Sequence, residues 1–350
     1  MTFIEFISQH RAQLESFINT CMDAKIATSP MHEAKNALQK VKDCVTDGKM
    51  IRGMLVLLGA EIHGKTIDEE VFATASAIEI FHTGLLIHDD IMDNDFKRRN
   101  KESVFYQYMK EGEQYKAKNP LLYGQSMGLC VGDICFFLGF EILTKYIVDN
   151  AILRSIVQIT SEEFQLVGPA QMADTAHGMT ATEPNEVEIY KKYLYKTAHY
   201  SFSVPLILGS LFGVKQDISL LKQFGEDVGI IFQLKDDDLG IFGNEQDIGK
   251  QIGSDIRENK KTLLRWYTFK NAIGKDKQQL LSIFGKSTIS TDELRFVRES
   301  VERYHGRTLI NREIEKRLDR IHETLTALAQ AGLSTEILQD LVKYNLIRNK

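Results

Sequence analysis

Apolar residues recur every three to four positions along most of the chain, which is the spacing of one buried face of an α-helix. In the first segment the residues on this face are Phe3, Phe6, Ile7, His10, Leu14, Phe17 and Ile18. The same period predicts helices over residues 32–46, 51–63, 69–93, 121–147, 151–167, 186–212, 217–240, 256–271, 290–303, 308–331 and 335–347. No alternating apolar and polar window is long enough to require a sheet. The pattern therefore predicts an all-α protein.

Turn-forming residues fall between the predicted helices, where helices end and begin. They occur at Asp47-Gly48, Lys118-Asn119-Pro120, Gly168-Pro169 and Glu183-Pro184. No low-complexity linker or dominant internal repeat divides the chain. We therefore expect residues 1–350 to form a single large all-helical domain, although this length exceeds that of a usual domain.

Two strongly apolar segments, residues 129–143 and 200–214, are too short or too interrupted to cross a membrane. The first contains Asp133 and Glu141, and the second contains Pro205. A membrane span needs roughly 20 mostly apolar residues. The N-terminal segment also lacks the basic and then apolar pattern of a signal peptide. We therefore expect no membrane span and a cytoplasmic location.

The composition is that of a soluble globular protein, with 43% hydrophobic and 26% charged residues. It excludes disordered, collagen-like and disulfide-stapled small proteins. The formal net charge of −5 offers no basic excess for a nucleic-acid backbone, so no nucleic-acid partner is expected. The cysteines show no metal-ligand spacing and are interpreted as buried thiols of a reducing compartment: Cys21, Cys44, Cys130 and Cys135.

A first group of candidate functional residues lies at the C-terminal end of the predicted helix 69–93, in the sequence HDDIMDND. It contains Asp89, Asp90 and Asp93. Asp89 and Asp93 share one helical face, one turn apart, and like charges at that spacing repel. A helix C-terminus already carries partial negative charge, so a bound cation would relieve an unfavourable arrangement. A solvated acidic helix end is the alternative for this cluster taken alone.

A second acidic cluster lies far along the chain, in FQLKDDDLGIFG (232–243). Asp236, Asp237 and Asp238 occupy the end of the helix predicted over residues 217–240. If the two helices face each other, carboxylates from both converge on one cavity. Hard oxygen ligands suit Mg²⁺, which prefers one or two carboxylates together with substrate phosphates. The absence of an EF-hand loop argues against a tight Ca²⁺ site, so the clusters favour phosphate binding through Mg²⁺.

Basic residues accompany both acidic clusters, as a phosphate site requires. The candidates are Lys49 and Arg52 at a helix start, Arg98 and Arg99 after the first cluster, Lys196 beside Thr197, and Lys250 and Lys260 after the second cluster. Any one of them alone is more often a solvated surface charge. His82 lies two turns before Asp89 on the same helical face, and Gln233 lies three residues before Asp236. Both are therefore candidates for the same site.

Taken together, these residues resemble those of the trans-isoprenyl diphosphate synthases, the head-to-tail polyprenyl synthetase family. The similarity extends from Gly48 to about Lys261 and consists of five motifs in the family's order: GKMIR, DDIMD followed by two arginines, the Lys-Thr pair, FQLKDDDLGIFG and GKQIGSDIRENKK. The resemblance implies ten or more helices in a single bundle around a deep central cavity, assembled as a homodimer. It also implies isopentenyl diphosphate and allylic diphosphates as substrates of a prenyltransferase.

The resemblance further implies a role for each candidate residue. The ligands of up to three Mg²⁺ ions, bound together with the substrate diphosphate, would be Asp89, Asp93 and Asp236, supported by Asp90 and Asp237. The allylic diphosphate would be held by Arg98, Lys196 and Lys250, with Lys260 nearby. The diphosphate of isopentenyl diphosphate would be bound by Lys49, Arg52, His82 and Arg99. Thr197 and Gln233 would lie beside the reacting carbons, and the released diphosphate would act as the base.

Three positions depart from the family pattern. Gly240 replaces the third aspartate of the second motif, and Asp238 points off that face, so we expect activity with weaker metal or product binding. Gly53 stands where proline is frequent, and Asn100 stands where glycine is frequent. Both of these are expected to be tolerated.

In the family, the residues four and five before the first aspartate help to form the floor of the elongation cavity. Here they are Leu85 and Gly84, and neither side chain is aromatic. Phe81 could supply a floor deeper in the cavity. We therefore expect geranylgeranyl diphosphate (C20), with a C25 or longer product as a close rival and farnesyl diphosphate (C15) as a further alternative.

Two other functions are compatible with parts of the sequence. A class I terpene cyclase shares the first motif and the helical fold, but the second motif and the GKMIR set argue against it. A non-catalytic regulatory subunit of a heteromeric synthase generally loses aspartates of the first motif, whereas this chain keeps Asp89, Asp90 and Asp93. The Gly240 change leaves this second alternative open.

Overall fold

The computed structural model describes residues 1–213, 218–243 and 253–347. The chain divides into two compact units, the first formed by Met1–Thr160 with Pro205–Ile218 and the second by Ser161–Val204 with Ser219–Lys350. Helices make up nearly all the regular structure of the described residues, which confirms the all-α class. That residues 1–350 form a single domain around a central cavity stays a prediction.

The helices and strands follow one another in a simple order. They are α1 (Phe3–Thr28), α2 (His32–Val45), α3 (Ile51–Ile62), α4 (Glu69–Asp93), β1 (Lys97–Arg98), β2 (Lys101–Glu102), α5 (Val104–Gln114), α6 (Pro120–Tyr146), α7 (Asn150–Phe164), α8 (Val167–Met179), α9 (Glu186–Tyr193), a π-helix (Leu194–Ser203), α10 (Val204–Ser210), α11 (Ile218–Phe242), α12 (Ser254–Arg257), α13 (Leu263–Asn271), α14 (Gly274–Ile283), α15 (Thr291–Arg303), α16 (Gly306–Gln330) and α17 (Glu336–Ile347). Side chains cap several of them; Thr2 Oγ1, for example, accepts from the N–H of Glu5 at 3.2 Å and begins α1.

Helix α4 forms the centre of the first unit, because every residue from Ala73 to Gly84 is buried. It packs against α3 and α6. Glycines allow the close approach to α6, since a Cβ on Gly84 would lie 2.9 Å from the carbonyl oxygen of Gly132. A helix buried on all sides can be apolar all round, which explains the weak amphipathic pattern of this segment.

The π-helix and α11 pack backbone to backbone in the second unit. The N–H of Val204 donates to the carbonyl oxygen of His199, five residues back, as in a π-helical turn. A Cβ on Gly225 would lie 2.5 Å from the Cα of Ser203, so glycine is required for this contact. The packing places the Lys-Thr pair of the π-helix beside the second acidic cluster on α11.

The structure differs from the predicted helices in specific places. The helix predicted over residues 186–212 is three successive elements, α9, the π-helix and α10, and that predicted over residues 256–271 is divided at Thr262. Thr262 Oγ1 accepts from the N–H of Arg265 at 3.1 Å and so starts a new helix. Helices α5, α8 and α14 were not predicted. The short antiparallel hairpin formed by β1 and β2 was not predicted either. Gly168-Pro169 was predicted to lie between helices, but Pro169 lies in the first turn of α8, where no hydrogen bond from its nitrogen is needed.

Two helices are long and apolar enough to cross a membrane by length and composition, which differs from the prediction of no candidate span. The apolar window of α4 is 78% buried, as in the core helix of a soluble protein, and that of α6 is 44% buried. Two such helices are weak evidence for a membrane. A cytoplasmic location stays a prediction.

The cysteines are free thiols, but they are not all buried as expected. Cys21 and Cys135 are buried, Cys44 is half-buried and Cys130 is exposed. The prediction was therefore wrong for Cys130, because this residue lies on the open side of α6 rather than in the core.

Candidate functional site

The first acidic cluster lies in the last turn of α4 and is bound by Arg98 from the hairpin. Arg98 Nε donates to Asp90 Oδ1 at 2.6 Å, and its Nη2 lies 3.5 Å from Asp89 Oδ2. Asp90 is buried, whereas Asp89 and Asp93 are half-buried. Burial raises the pKa of Asp90 to about 6, against the opposing effect of Arg98. Asp90 is thus paired with Arg98, which leaves Asp89 and Asp93 as the more exposed carboxylates of this cluster.

The hairpin turn that follows this cluster separates two adjacent arginines, so that Arg98 contacts Asp90 and Arg99 contacts Gly48. Arg99 and Asn100 form the turn between β1 and β2, with φ of 51° and 63°. Asparagine tolerates this left-handed conformation better than most residues, which explains why it can replace glycine here. A Cβ on Gly48 would lie 2.5 Å from Nη1 of Arg99, so the guanidinium rests on the backbone of the GKMIR segment.

His82 shares the electrostatic environment of the same arginines. Its ring is buried on α4, and burial followed by the charges of Arg52, Arg99 and Arg98 lowers its pKa well below the ordinary value. The imidazole is therefore neutral at physiological pH. The structure thus brings together three of the four residues predicted for isopentenyl diphosphate, while Lys49 lies at an exposed position beside them in sequence.

Sequence analysis missed Glu79, a buried acid one turn before His82. Its Oε1 accepts from the N–H of Gly53 at 2.7 Å and so ties the start of α3 to α4. Burial raises the pKa of Glu79, against the lowering effect of Arg52. Proline at position 53 would remove this N–H donor, and a Cβ there would lie 2.8 Å from Cδ2 of Leu14, so glycine fits this position. An isolated acid within the apolar stretch AIEIF was the available signal.

The second unit contains a hydrogen-bonded chain that runs from the π-helix to α11. Thr197 Oγ1 donates to Gln233 Oε1 at 2.7 Å, and Gln233 Nε2 donates to Asp237 Oδ1 at 2.9 Å. The hydroxyl of Tyr193 donates to Asp237 Oδ2 and accepts from the N–H of Leu263 at 2.8 Å. Both oxygens of Asp237 are therefore engaged by protein donors. This acid fixes the orientation of Gln233. The role implied for it, as a support of the Mg²⁺ ligands, stays a prediction.

Sequence analysis also missed Asp174 of α8, which joins two lysines. Its carboxylate lies 2.8 Å from Nζ of Lys192 and 2.6 Å from Nζ of Lys196. Burial alone would raise the pKa of Asp174, but the charges of Lys196, Lys192 and Lys260 lower it far below its ordinary value. Lys196 and Lys260, both predicted for the allylic diphosphate, therefore share one environment. The sequence QMAD carried no charge partner nearby that could have indicated this.

Two aspartates of the second cluster face different surroundings. Asp236 is half-buried at the end of α11. Asp238 forms a two-point ion pair with Arg307, whose Nε and Nη2 lie 2.8 Å and 3.1 Å from its oxygens. Asp238 thus points away from the motif face, as expected.

Gly240 stands where the family has a third aspartate, and another acid occupies the adjacent space. A Cβ on Gly240 would clash with Oδ2 of Asp255 on α12. The charge of Asp255, after burial, is the main cause that raises the pKa of Asp237, to about 7. The carboxylate of Asp255, from another helix, therefore lies close to where the side chain of the family's third aspartate would begin. Asp255 was not predicted from the sequence.

The residues predicted to limit product length lie against α6. The ring of Phe81 packs on Phe140 with centroids 5.0 Å apart, and Leu85 is half-buried. A Cβ on Gly84 would meet both the Gly132 carbonyl oxygen and the Cys135 Cβ at 2.9 Å. Glycine at position 84 is thus needed for the close packing of α4 on α6, and its effect on product length stays a prediction.

Lys250 lies outside the described residues. The remaining predicted side chains fall into two local groups, one around Arg98, Arg99 and His82 in the first unit and one around Lys196, Gln233 and Asp237 in the second. The convergence of the two acidic clusters on one cavity stays a prediction.

The donor atoms available in these groups fit Mg²⁺. Asp89, Asp93 and Asp236 offer hard carboxylate oxygens at half-buried positions. Across residues 1–213, 218–243 and 253–347, no three His, Cys, Asp or Glu side chains form a ready-made metal cage. Mg²⁺ usually needs one or two carboxylates and completes its shell with water and substrate phosphate, so these donors suit it better than a metal that needs an all-protein cage.

Comparison with known proteins gives a consistent result. A geranylgeranyl diphosphate synthase of Saccharolobus solfataricus is 31% identical over 263 residues, covering 73% of both chains. A (2E,6E)-farnesyl diphosphate synthase of Mycobacterium tuberculosis is 30% identical over 303 residues, covering 85% of this chain and 79% of its own. The crystal structure of geranylgeranyl pyrophosphate synthase from Corynebacterium glutamicum, complexed with isoprenyl diphosphate and magnesium, shares the fold with a TM-score of 0.87 at 24% identity, over 97% of this chain and 99% of that one.

A sequence profile described as polyprenyl synthetase matches residues 35–301, which is most of the chain. The segment contains both acidic clusters and all of the basic candidates. The chain therefore belongs to the polyprenyl synthetase family and is a prenyltransferase.

Proposed function

We propose that the protein condenses isopentenyl diphosphate head to tail with allylic diphosphates in a Mg²⁺-dependent reaction and releases geranylgeranyl diphosphate (C20). The family match carries this proposal, because the matched residues 35–301 include every side chain assigned to the two diphosphates and the metal. A relative named geranylgeranyl diphosphate synthase, 31% identical, supports the C20 product. The relative named farnesyl diphosphate synthase, 30% identical, keeps C15 as the alternative.

The allylic diphosphate is assigned to Lys196 and Lys260 of the second unit, to Arg98 of the first, and to Lys250. Lys196 is 25% exposed, so its ammonium can reach a phosphate, while Lys192 remains to neutralise Asp174. A carboxylate with two lysines can share one of them with a ligand without being left as a buried unpaired charge. Mg²⁺, held by Asp89, Asp93 and Asp236, would neutralise the charge that develops on the departing diphosphate.

The diphosphate of isopentenyl diphosphate is assigned to Lys49, Arg52, His82 and Arg99. The two arginines supply charge, and the neutral imidazole of His82 can donate one hydrogen bond without adding to the repulsion between them. Glu79 keeps the start of α3 in place through the N–H of Gly53. These residues bind and orient this substrate.

The bond changes follow from the two substrates. The allylic C–O bond breaks and leaves a carbocation, which the π electrons of isopentenyl diphosphate attack to form a new C–C bond. A proton is then lost to the released diphosphate, and the chain is five carbons longer. Thr197 and Gln233 are assigned to the reacting carbons. The Thr197–Gln233–Asp237 hydrogen bonds fix the orientation of these side chains, whose oxygen dipoles would then stabilise the developing positive charge.

One experiment tests the proposal directly. Purified protein is incubated with Mg²⁺, isopentenyl diphosphate and dimethylallyl, geranyl or farnesyl diphosphate in turn, and the dephosphorylated products are separated by chromatography. We expect C20 as the main product with each primer. Elongation of no primer would refute the synthase, and C15 as the sole product would replace C20 by the farnesyl alternative.

The same assay tests the assignment of the first acidic cluster. Asp89→Ala should lose nearly all turnover, because it removes a carboxylate assigned to Mg²⁺. Asp319→Ala, which changes an exposed aspartate on α16, is the matched control and should behave as the parent. Near-normal turnover of Asp89→Ala would contradict the metal assignment.

We also propose that the protein is a homodimer, as its family resemblance implies. The apolar side chains that α6 exposes support this, since Phe137 is 76% and Leu122 is 57% exposed. Light scattering after size-exclusion chromatography measures the mass. A monomer at enzyme concentrations used in the assay would refute the dimer.

A further inference from the structure

His199 is a buried histidine of the π-helix, three residues after Lys196 and two after Thr197. No role in substrate binding has been assigned to it. Its ring contacts acids on α7 and α11. It therefore belongs to the same element as two proposed binding residues but to a different set of contacts.

Both ring nitrogens of His199 contact a carboxylate. Nδ1 lies 2.5 Å from Oε2 of Glu163 at the end of α7, and Nε2 lies 2.9 Å from Oε1 of Glu226 on α11. A neutral imidazole has only one N–H, so one contact would set a lone pair against a carboxylate oxygen. The imidazolium donates to both. With both glutamates ionised, the geometry therefore favours the charged ring.

The surroundings of His199 balance this charge. Lys222 Nζ lies 3.0 Å from Oε1 of Glu163, so two cations meet two carboxylates. The ring of Tyr195 packs edge-on against the imidazole, with the ring centroids 5.2 Å apart. Burial lowers the pKa of His199, but the hydrogen bonds to Glu163 and Glu226 raise it more, to above its ordinary value.

A π-helix as long as this one needs support from outside. π-Helical turns are rare and usually occur singly, because their hydrogen-bonding pattern is less favourable than that of the α-helix, whereas this segment runs for ten residues. His199 is the residue that joins it by charged hydrogen bonds to both α7 and α11. Charge-assisted hydrogen bonds of this kind are among the stronger ones in proteins.

We propose that His199 is a positioning residue, whose imidazolium fastens the π-helix to α7 and α11 and thereby holds Lys196 and Thr197 in the conformation that binds the allylic diphosphate. This inference rests on the function proposed for the chain. Loss of the ring proton at alkaline pH breaks one of the two hydrogen bonds and loosens the π-helix. Affinity for the allylic substrate then falls, while affinity for isopentenyl diphosphate, assigned to residues on α3, α4 and the hairpin, does not.

The kinetic test compares the full-length protein with His199→Gln and with the matched control His322→Gln, which changes an exposed histidine on α16. KM is measured for geranyl diphosphate and for isopentenyl diphosphate across neutral and alkaline pH. In the parent and the control, KM for geranyl diphosphate should rise with pH. In His199→Gln it should already be about tenfold higher at neutral pH and show no such rise. An equal change of both KM values, or a parent-like pH profile in His199→Gln, would overturn the inference.

A second readout does not depend on turnover. In protein labelled with ¹⁵N-histidine, the signals of His199 are identified among nine histidines by their loss in His199→Gln or their shift in Glu226→Gln. We expect two ring N–H signals at neutral pH in the parent. A single ring N–H signal would refute the proposed pair of hydrogen bonds from the His199 imidazolium to Glu163 and Glu226. If the parent elongates no primer but shows both signals, the proposed function is refuted, while the charged hydrogen bonds of His199 to Glu163 and Glu226 are supported.

Discussion

At the scale of single residues, one acid with little exposure pairs with Lys196; the side chain of Asp174 is 10% exposed. Asp174 is bound by Lys192 and Lys196 at 2.8 Å and 2.6 Å, and its lowered pKa means that these contacts strengthen the folded state. For an acid with a depressed pKa, this stabilisation is present at neutral pH and is lost only as the pH falls through the folded-state pKa. The lysine arrangement should therefore persist at mildly acidic pH.

Asp174→Asn should weaken both folding and binding of the allylic substrate. The substitution keeps the size of the side chain but leaves two lysines without their buried anion, so we expect the free energy of unfolding to fall by about 3 kcal/mol. KM for the allylic diphosphate should rise as well. Urea denaturation at neutral pH and steady-state kinetics measure the two effects.

Asp23→Asn is the matched control for this change, because Asp23 pairs with Lys42 at the surface with its side chain 62% exposed. It should alter the free energy of unfolding by less than about 0.5 kcal/mol. An Asp174→Asn protein as stable as the parent would show that the two lysines do not depend on this acid.

Gly240→Asp restores the family's third aspartate in sequence, but we expect it to reduce stability by about 2 kcal/mol. The new Cβ would clash with Asp255, and two carboxylates would face each other. The double variant with Asp255→Ala should recover most of the loss. Thermal denaturation measures both, and Gly168→Asp is the control, because a Cβ on Gly168 meets nothing within 4 Å. A higher melting temperature together with faster turnover in Gly240→Asp would contradict this account.

The sequence allowed some site residues to be predicted and not others, for a physical reason. Asp89, Asp93 and Arg98 stand in short motifs, so their spacing along one helix or loop indicated a shared site. Glu79 and Asp174 act through partners 26 and 22 residues away. Such contacts exist only once the chain has folded, and one sequence holds no sign of them beyond an acid in an apolar or neutral stretch.

At the scale of elements, the same distinction separates the long helices from the π-helix. The helix predicted over residues 69–93 matches α4 in both bounds, because a buried apolar run with an N-capping acid is a local signal. The segment 186–212 kept a continuous helical period, yet residues Leu194–Ser203 wind as a π-helix. This segment packs closely on α11 at Gly225 and Gly229, and the hydrophobic periodicity of a sequence gives no sign of such long-range contacts.

Thr197→Val tests how far the π-helix depends on its hydrogen bond to α11. Valine has nearly the same shape but cannot donate to Gln233 Oε1, which Thr197 does at 2.7 Å in a site where only 9% of the threonine is exposed. We expect a loss of about 1 kcal/mol in the free energy of unfolding and a higher KM for the allylic diphosphate. Thr197→Ser keeps the hydroxyl and should retain most of both. Equal losses in the two variants would indicate that the methyl group matters and the hydrogen bond does not.

At the scale of the whole molecule, the net charge of −5 conceals strong local separation of charge. Acidic residues lie at the ends of α4 and α11, while lysines and arginines lie in the hairpin, at the start of α3 and in the π-helix. A complex such as Mg²⁺–diphosphate carries both a cation and an anion, so neither the acidic nor the basic side chains alone are sufficient to bind it. A chain organised in this way should respond to the metal and the anion together more than to either one.

Mg²⁺ and inorganic diphosphate added together should therefore raise the melting temperature by more than the sum of their separate effects. At about 100 times the dissociation constant, a ligand that binds only the folded state adds about 2.7 kcal/mol, and for a chain of this size each kcal/mol corresponds to about 1.4 °C. Asp89→Asn should lose this additional shift, because it removes a carboxylate assigned to the metal. Asp238→Asn is the matched control; its carboxylate is bound by Arg307, so it should keep the shift even if its starting melting temperature is lower. A shift that is as large with Mg²⁺ alone, or that persists in Asp89→Asn, would mean that the acidic end of α4 does not bind the metal together with the diphosphate.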